Sequence, residues 1–322
     1  MSDDADGARD RFQVPVALFV HRRADLLPRT LDCLRVSGLT ELYVFSDGPR
    51  DAGDIPGVEK VREVIAGIDW IDPVVVARAE NLGLSESIRE GLDELFANHD
   101  AAVVIEDDVC VAPEFYDYAC RALRHYRDEP SVAGITGLRL PFSRRALGSY
   151  PFDVFMSLRF HAWGWATWRD RWQSFSFDLD ALRREVAAAP DFHPARAGYD
   201  LPIMIDQTLN APTLGGSWDV ACGINMLLHG QYFVTPTWNM VENSGFWEGT
   251  HYRSPPPWQL VWEQDLRPAG GSIRFAPPEE CAPILRDYKR FHAPTLAQHV
   301  RGKTGAAIKL LRGTPVHRPQ HR

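Results

Sequence analysis

Three carboxylates in a row, Glu106-Asp107-Asp108, follow the apolar run Ala102-Val103-Val104-Ile105. Adjacent carboxylates repel one another unless donors or a cation compensate them. Two readings fit: a solvated acidic turn ahead of a helix starting near Pro113, or a seat for a hard divalent ion, Mn²⁺ or Mg²⁺, shared with phosphate oxygens of a ligand. A second acid, Asp219, follows Trp218 in the context Gly215-Gly216-Ser217. A carboxyl beside a large ring can hold its proton to higher pH and act as a general base, and a helix N-cap explains the same local sequence equally well. Asp47, in Ser46-Asp47-Gly48-Pro49, is either a turn residue or an acceptor for the imide N–H of a uracil ring. Among the cations, Arg22 has the geometry to pair with a diphosphate, Arg78 falls near a strand end, and Arg23 reads as a surface charge. His251, in Gly249-Thr250-His251, is a candidate metal ligand or a structural histidine. Trp163, Trp165, Trp168 and Trp172 lie within ten residues. Indole faces suit sugar C–H faces, so Trp163 and Trp165 are candidate sugar platforms, as is Trp218, whereas Trp168 and Trp172 have the spacing of a helix core face.

The elements that must position these groups alternate regularly. Val14–Val20 is a continuous apolar run of the kind a strand covered on both faces requires. A helical stripe (Leu26, Leu27, Leu31, Leu34) follows, then strand Leu42–Phe45, a second stripe (Val58, Val61, Ile65, Ile68), and strand Val74–Val76. A third helix opens on the capping box Ser87-x-x-Glu90, and strand Ala102–Ile105 closes the series. Such alternation predicts an α/β fold with a largely parallel sheet, helices on both faces, and ligands beyond the carboxyl ends of the strands. The ends in question carry His21-Arg22-Arg23, Ser46-Asp47, Arg78 to Asn81, and the acidic triplet. Acids and cations converging on one edge suit a phosphate-bearing ligand. Past residue 140 the pattern becomes aromatic and irregular. The expected organisation is an acidic disordered segment (1–12), a nucleotide-binding half (13–140), an acceptor-side and catalytic half of the same domain (141–255), and a Pro-rich segment with a basic tail (256–322).

The 322 residues carry a formal charge of −8, and the six Lys and Arg after Phe291, with no acid among them, leave the remainder more acidic still. An acidic body argues against a nucleic-acid groove. Five cysteines without a C-x-x-C pair read as reduced thiols. The longest apolar runs fall short of the ~20 residues that a membrane span takes, and Met1 to Asp6 is the opposite of a secretory leader, so a cytoplasmic location is expected. In the tail, Ala306, Ala307, Ile308, Leu310 and Leu311 interleave with Lys309 and Arg312, a weak amphipathic pattern that suits peripheral contact with the inner face of an anionic membrane.

Taken together these residues resemble the nucleotide-sugar-dependent glycosyltransferases of the GT-A fold. More narrowly, the chain is similar to bacterial relatives of N-acetylglucosaminyltransferase I and protein O-mannose N-acetylglucosaminyltransferase, over roughly residues 13–255. The most specific part is Ala102 to Val109 with Val111-Ala112-Pro113-Glu114-Phe115, which looks like the family's metal-site strand and following helix. The resemblance implies Asp108 as direct metal ligand, Glu106 and Asp107 on the donor sugar and ribose, Asp47 on uracil, Arg22 on the phosphates, and Asp219 as catalytic base. It sets Gly164-Trp165 near the acceptor side and His251 in a loop over the diphosphate. It further implies Mn²⁺ or Mg²⁺ as cofactor, UDP-GlcNAc as donor, inversion at the anomeric carbon, and a glycan, lipid-linked or small-molecule hydroxyl as acceptor. The chain departs from the family at Ser85-Glu86-Ser87-Ile88, where a basic, Tyr-rich helix face is usual. Two other readings stay open. A sugar-phosphate nucleotidyltransferase would need a Gly-rich loop after the first strand, and Phe19 to Arg23 has no Gly; a non-catalytic carbohydrate-binding protein would use the Trp cluster alone.

Overall fold

The computed structural model describes residues 12–140, 144–148, 150–245 and 272–292. Strands β1 (Val16–Val20), β2 (Leu42–Ser46), β3 (Val74–Ala77) and β4 (Ala101–Glu106) alternate with helices α1 (Leu27–Arg35), α2 (Ile55–Ala66) and α3 (Leu84–Phe96). They are followed by β5 (Val109–Val111), α4 (Phe115–His125), β6 (Val132–Thr136), α5 (Arg144–Leu147), β7 (Val154–Ser157) and β8 (Trp165–Trp168). Then come α6 (Arg169–Gln173), α7 (Leu179–Ala188), α8 (Leu201–Leu209), α9 (Trp218–Leu228), β9 (Tyr232–Pro236), β10 (Val241–Asn243) and a helix we label α10 (Ala282–Phe291). Eight strands form one sheet in the order β3-β2-β1-β4-β8-β6-β9-β7, and β5 pairs with β10 in a small antiparallel ribbon. The first four neighbours are parallel; β8 and β7 run against the rest. The α/β class and largely parallel sheet read from the sequence are those observed.

Alternation along β1 explains why the sheet needs cover on both sides. Val16, Leu18 and Val20 join one core with Leu27, Leu31 and Leu34 of α1, Val61 and Ile65 of α2, and residues of α4. Ala17 and Phe19 face the opposite way, onto Ile88, Leu92, Leu95 and Phe96 of α3 and Trp218, Cys222 and Met226 of α9. Fully burying side chains of this size contributes roughly 1.5–3 kcal/mol each, which fixes register as well as stability. Strand β3, one of the two edge strands, is the exception to two-sided burial, with Val74 and Val75 exposed.

The structure corrects several local expectations. Helix α3 starts at Leu84 after Gly83, so Ser87 lies inside the helix, buried, and caps nothing. Trp168 ends strand β8 and only Trp172 is helical, although both are buried. Within the stretch expected to be an extended tail, Ala282–Phe291 is a helix whose Ile284 and Tyr288 are buried in the main core. It is anchored by Tyr288 against Phe155 and His161. The chain past residue 140 contributes to the same sheet, since β4 pairs directly with β8. All five cysteines are free. No helix among the described residues is long and apolar enough to cross a membrane. The segment 1–11 and the basic tail from Arg301 onward lie outside the described residues.

Candidate active site

Glu106 is the last residue of β4, and Asp107 and Asp108 make the turn into β5. Both turn carbonyls are pinned. Thr30 Oγ1 on α1 donates to Asp107 O (2.9 Å), and Ser244, just past β10, donates its N–H (2.8 Å) and Oγ (3.1 Å) to Asp108 O. The β5–β10 ribbon and α1 thus hold the acidic turn from two sides.

The two turn carboxylates are buried and share one cation. Arg23 donates Nη1 to Asp108 Oδ2 (2.6 Å) and Nη2 to Asp107 Oδ1. The backbone N–H of His21 reaches Asp107 Oδ2 at 3.3 Å. Burial pushes the Asp107 carboxyl up to about 6 against the pull of Arg23. Burial, then the Asp108 charge, raises Glu106 to about 8. Burial opposes the charge on Arg23, and the facing carboxylates more than offset it, so the guanidinium stays protonated. Arg23, read from the sequence as a surface charge, is therefore the cation of the site. The sign that would have found it is topological: β1 lies next to β4, so a residue just past β1 faces the end of β4.

Asp219 lies in the first turn of α9, two residues past the N-cap Ser217, where a negative charge meets the positive end of the helix dipole. It is not itself the cap. Trp218 beside it is 2% exposed and packs on Phe160 and Trp165, with ring centroids 5.5 and 5.7 Å away, so the ring anchors the helix start. Asp219 is close enough to Glu106 for its charge to raise that carboxyl. Far apart in sequence, Asp219 and Glu106 are close enough at the carboxyl end of β4 for their charges to interact.

The other expected residues divide. Asp47, 5% exposed, accepts from the N–H groups of Gly48 (2.9 Å), Leu82 (2.9 Å) and Gly83 (3.1 Å) and from Asn81 Nδ2 (2.8 Å). Those four donors fill an ionised carboxylate, so Asp47 clamps the β3–α3 loop and has no acceptor capacity left for a base. Arg22, half-exposed, pairs with Asp54 (3.0 Å), which Arg50 also holds through two bonds. Arg78 pairs with Glu90 (3.0 Å), while its Nε and Nη2 are buried without a partner among the described residues. Trp165, 1% exposed, and Trp218 are core residues and present no face to a sugar; this corrects their assignment as platforms. Gly164 before Trp165 has φ +56°, and a Cβ there would come within 2.7 Å of Val241 Cγ1, so that glycine serves the turn into β8. Trp163 is partly buried and keeps some exposed surface. His251 lies outside the described residues.

Among the described residues, no group of three or more His, Cys, Asp or Glu is arranged as a metal cage. One observation nonetheless fits a hard ion. Asp108 Oδ1 is buried and has no hydrogen-bond partner among the described residues. A buried carboxylate oxygen left unpaired is costly, and a cation is the group that would satisfy it. Mg²⁺-type ions are commonly held by one or two carboxylates together with ligand phosphates, which needs no larger cage.

No protein-family model matches this chain, and no curated protein matches its sequence. Among solved structures it is similar to the mannosyltransferase PcManGT from Pyrobaculum calidifontis, in complex with GDP-Man and Mn2+. The match covers 94% of this chain and 81% of that one, at 14% identity and a TM-score of 0.39. A superposition this loose fixes neither donor nor chemistry.

Proposed function

We propose that the protein is an inverting glycosyltransferase that uses a nucleotide-sugar donor, with UDP-GlcNAc the first donor to test. The observation that carries the reading is the meeting of Asp219, at the start of α9, with the acidic turn Glu106-Asp107-Asp108 at the end of β4. That is the edge where sheets of this class take ligands. Asp219 would accept the proton of an acceptor hydroxyl while that oxygen attacks the anomeric carbon. The bond from that carbon to the diphosphate oxygen breaks on the opposite face, and the nucleoside diphosphate leaves with the bonding electrons. Glu106, whose carboxyl feels the Asp219 charge, is suited to the donor sugar. Asp107 has both oxygens engaged by Arg23 and His21, so its contribution is to hold that edge in shape.

Asp108, through Oδ1, would hold a divalent ion jointly with donor phosphate oxygens, and the ion would neutralise charge on the leaving diphosphate. At the other end of the edge, Arg78 offers two buried N–H groups to the nucleotide. Three strand spacings of ~4.8 Å separate the ends of β3 and β4, about 14 Å, a span that an extended nucleoside diphosphate bridges. Arg22, exposed in part and paired with Asp54, would reach the phosphates between them by leaving that pair. Trp163 is the member of the tryptophan cluster available to an acceptor.

The test is thermal unfolding with UDP, GDP, dTDP and CMP, each with and without Mn²⁺, on the wild type and Asp108→Ala. A ligand that binds only the folded state raises Tm by mass action. A Mn²⁺-dependent shift with one nucleotide that Asp108→Ala abolishes is the expected result; no shift with any nucleotide sinks the reading. Once donor and acceptor are found, Asp219→Asn should lower turnover by about 10²–10⁴ with donor binding kept.

A further inference from the structure

The acidic turn already holds a cation, and that cation belongs to the chain. Arg23 lies on Asp108 Oδ2 and Asp107 Oδ1 in a two-pronged grip of charge-assisted bonds, among the stronger polar contacts a protein makes. Its neighbours in sequence and space are committed elsewhere: Arg22 to Asp54, and Arg29 to Glu242 at 2.6 Å. Gly245 closes the pair from the other side, since a Cβ there would be 2.1 Å from Asp108 Oδ2 and 3.0 Å from Arg23 Nη1. The same carboxylate is nine-tenths buried and keeps Oδ1 without a partner among the described residues. A purely structural ion pair gains nothing from a buried, unsatisfied oxygen on one of its members. One oxygen of Asp108 carries the internal cation, and the other has no partner among the described residues.

A guanidinium and a divalent ion on the two oxygens of one carboxylate lie only a few ångströms apart. In a partly buried site, like charges at that separation repel one another, so occupancy by one weakens the hold of the other. The Arg23 side chain is 30% exposed, which gives it a path outward. We propose that Arg23 is an intramolecular counter-ion that competes with the divalent ion for Asp108, yields when ion and donor arrive, and then turns its guanidinium to the donor's diphosphate. The proposal rests on the transferase reading only in that last step. The competition itself concerns the ion and Arg23 alone.

The test therefore uses Mn²⁺ by itself, titrated into the full chain with free Mn²⁺ followed by electron paramagnetic resonance. Three proteins are compared with the wild type: Arg23→Gln; the double variant Arg23→Gln/Asp107→Asn, which restores local charge balance in case the single variant folds poorly; and Asp108→Ala. Removing Arg23 should tighten Mn²⁺ binding by about tenfold or more in Arg23→Gln and by less in the double variant, which also loses a nearby carboxylate, and Asp108→Ala should abolish it. Unchanged or weaker Mn²⁺ binding in the folded Gln variants overturns the proposal, as does the absence of Mn²⁺ binding in every protein. Adding UDP or GDP separates the two claims. Tighter Mn²⁺ binding with no nucleotide effect would sink the transferase reading and leave the competition standing. A Mn²⁺-dependent nucleotide shift that ignores Arg23 would do the reverse.

Discussion

Replacing Asp47 with alanine discriminates between two roles that the sequence leaves equal. The carboxylate is buried and accepts four hydrogen bonds, three of them from the backbone of Gly48, Leu82 and Gly83, the last being the N-cap of α3. In Asp47→Ala those donors lose their acceptor in a site with little water. A hydrogen bond to a charged group contributes about 1.5–3 kcal/mol, and the bonds are not additive because the loop can relax, so a total loss of about 3–5 kcal/mol is expected. At about 2–4 °C per kcal/mol for a domain of this size, Tm should fall by about 6–20 °C. Asp47→Asn should fall by less, because one acceptor oxygen is kept while an NH₂ group is turned toward donors. The assay is thermal unfolding followed by near-UV circular dichroism, with nucleotide titration of whatever fraction stays folded. If Tm of Asp47→Ala stays within about 2 °C of wild type while nucleotide binding disappears, the clamp argument fails and Asp47 reads the base after all.

Three further outcomes follow from the same geometry. Burial holds His161 well below the usual imidazole range and also lowers His292, beside Asp200 and Arg159, so both rings take up protons less readily in the fold than in the unfolded chain. The unfolded chain takes up those protons near pH 6.5; stability is therefore complete above that value and lost as pH falls below it, and Tm between pH 7.5 and 5.5 should drop more steeply for wild type than for His161→Gln/His292→Gln. The thiol of Cys33 is brought down to about 7, chiefly by its hydrogen bond with the Cys110 thiol, whereas burial raises Cys120 to about 11 and lifts Cys222 far up. Iodoacetamide labelling at pH 7.5 followed by peptide mass spectrometry should find Cys33 modified first, and equal rates at Cys281 would contradict this. Gly164→Ala forces a side chain into a left-handed turn and against Val241, so a loss of about 1–3 kcal/mol is expected in urea unfolding, with m unchanged.

Much of this molecule is legible in its residue order. A parallel strand covered on both faces needs an unbroken apolar run, so β1, β2 and β4 announce themselves, and the first polar residues after each run fall by necessity on the carboxyl edge of the sheet. That alone places Glu106, Asp107, Asp108 and Arg78 on the carboxyl edge. Edge strand β3 is legible as a strand, although its exposure is not, because exposure depends on what packs over an edge: β7, at the other edge, is buried. The tertiary structure decides how those groups are used. That Arg23 rather than Arg22 grips the acidic turn depends on β1 lying beside β4 and on Asp54 capturing Arg22. That Asp47 is a clamp depends on the loop from Asn81 to Gly83 folding onto it, and that Trp165 and Trp218 are core depends on α9 packing across β8. Local sequence sets which residues can carry charge or bury a ring. Only the packing of distant segments decides whether a carboxylate's acceptor sites are already filled, and one oxygen, Asp108 Oδ1, is left without a partner among the described residues.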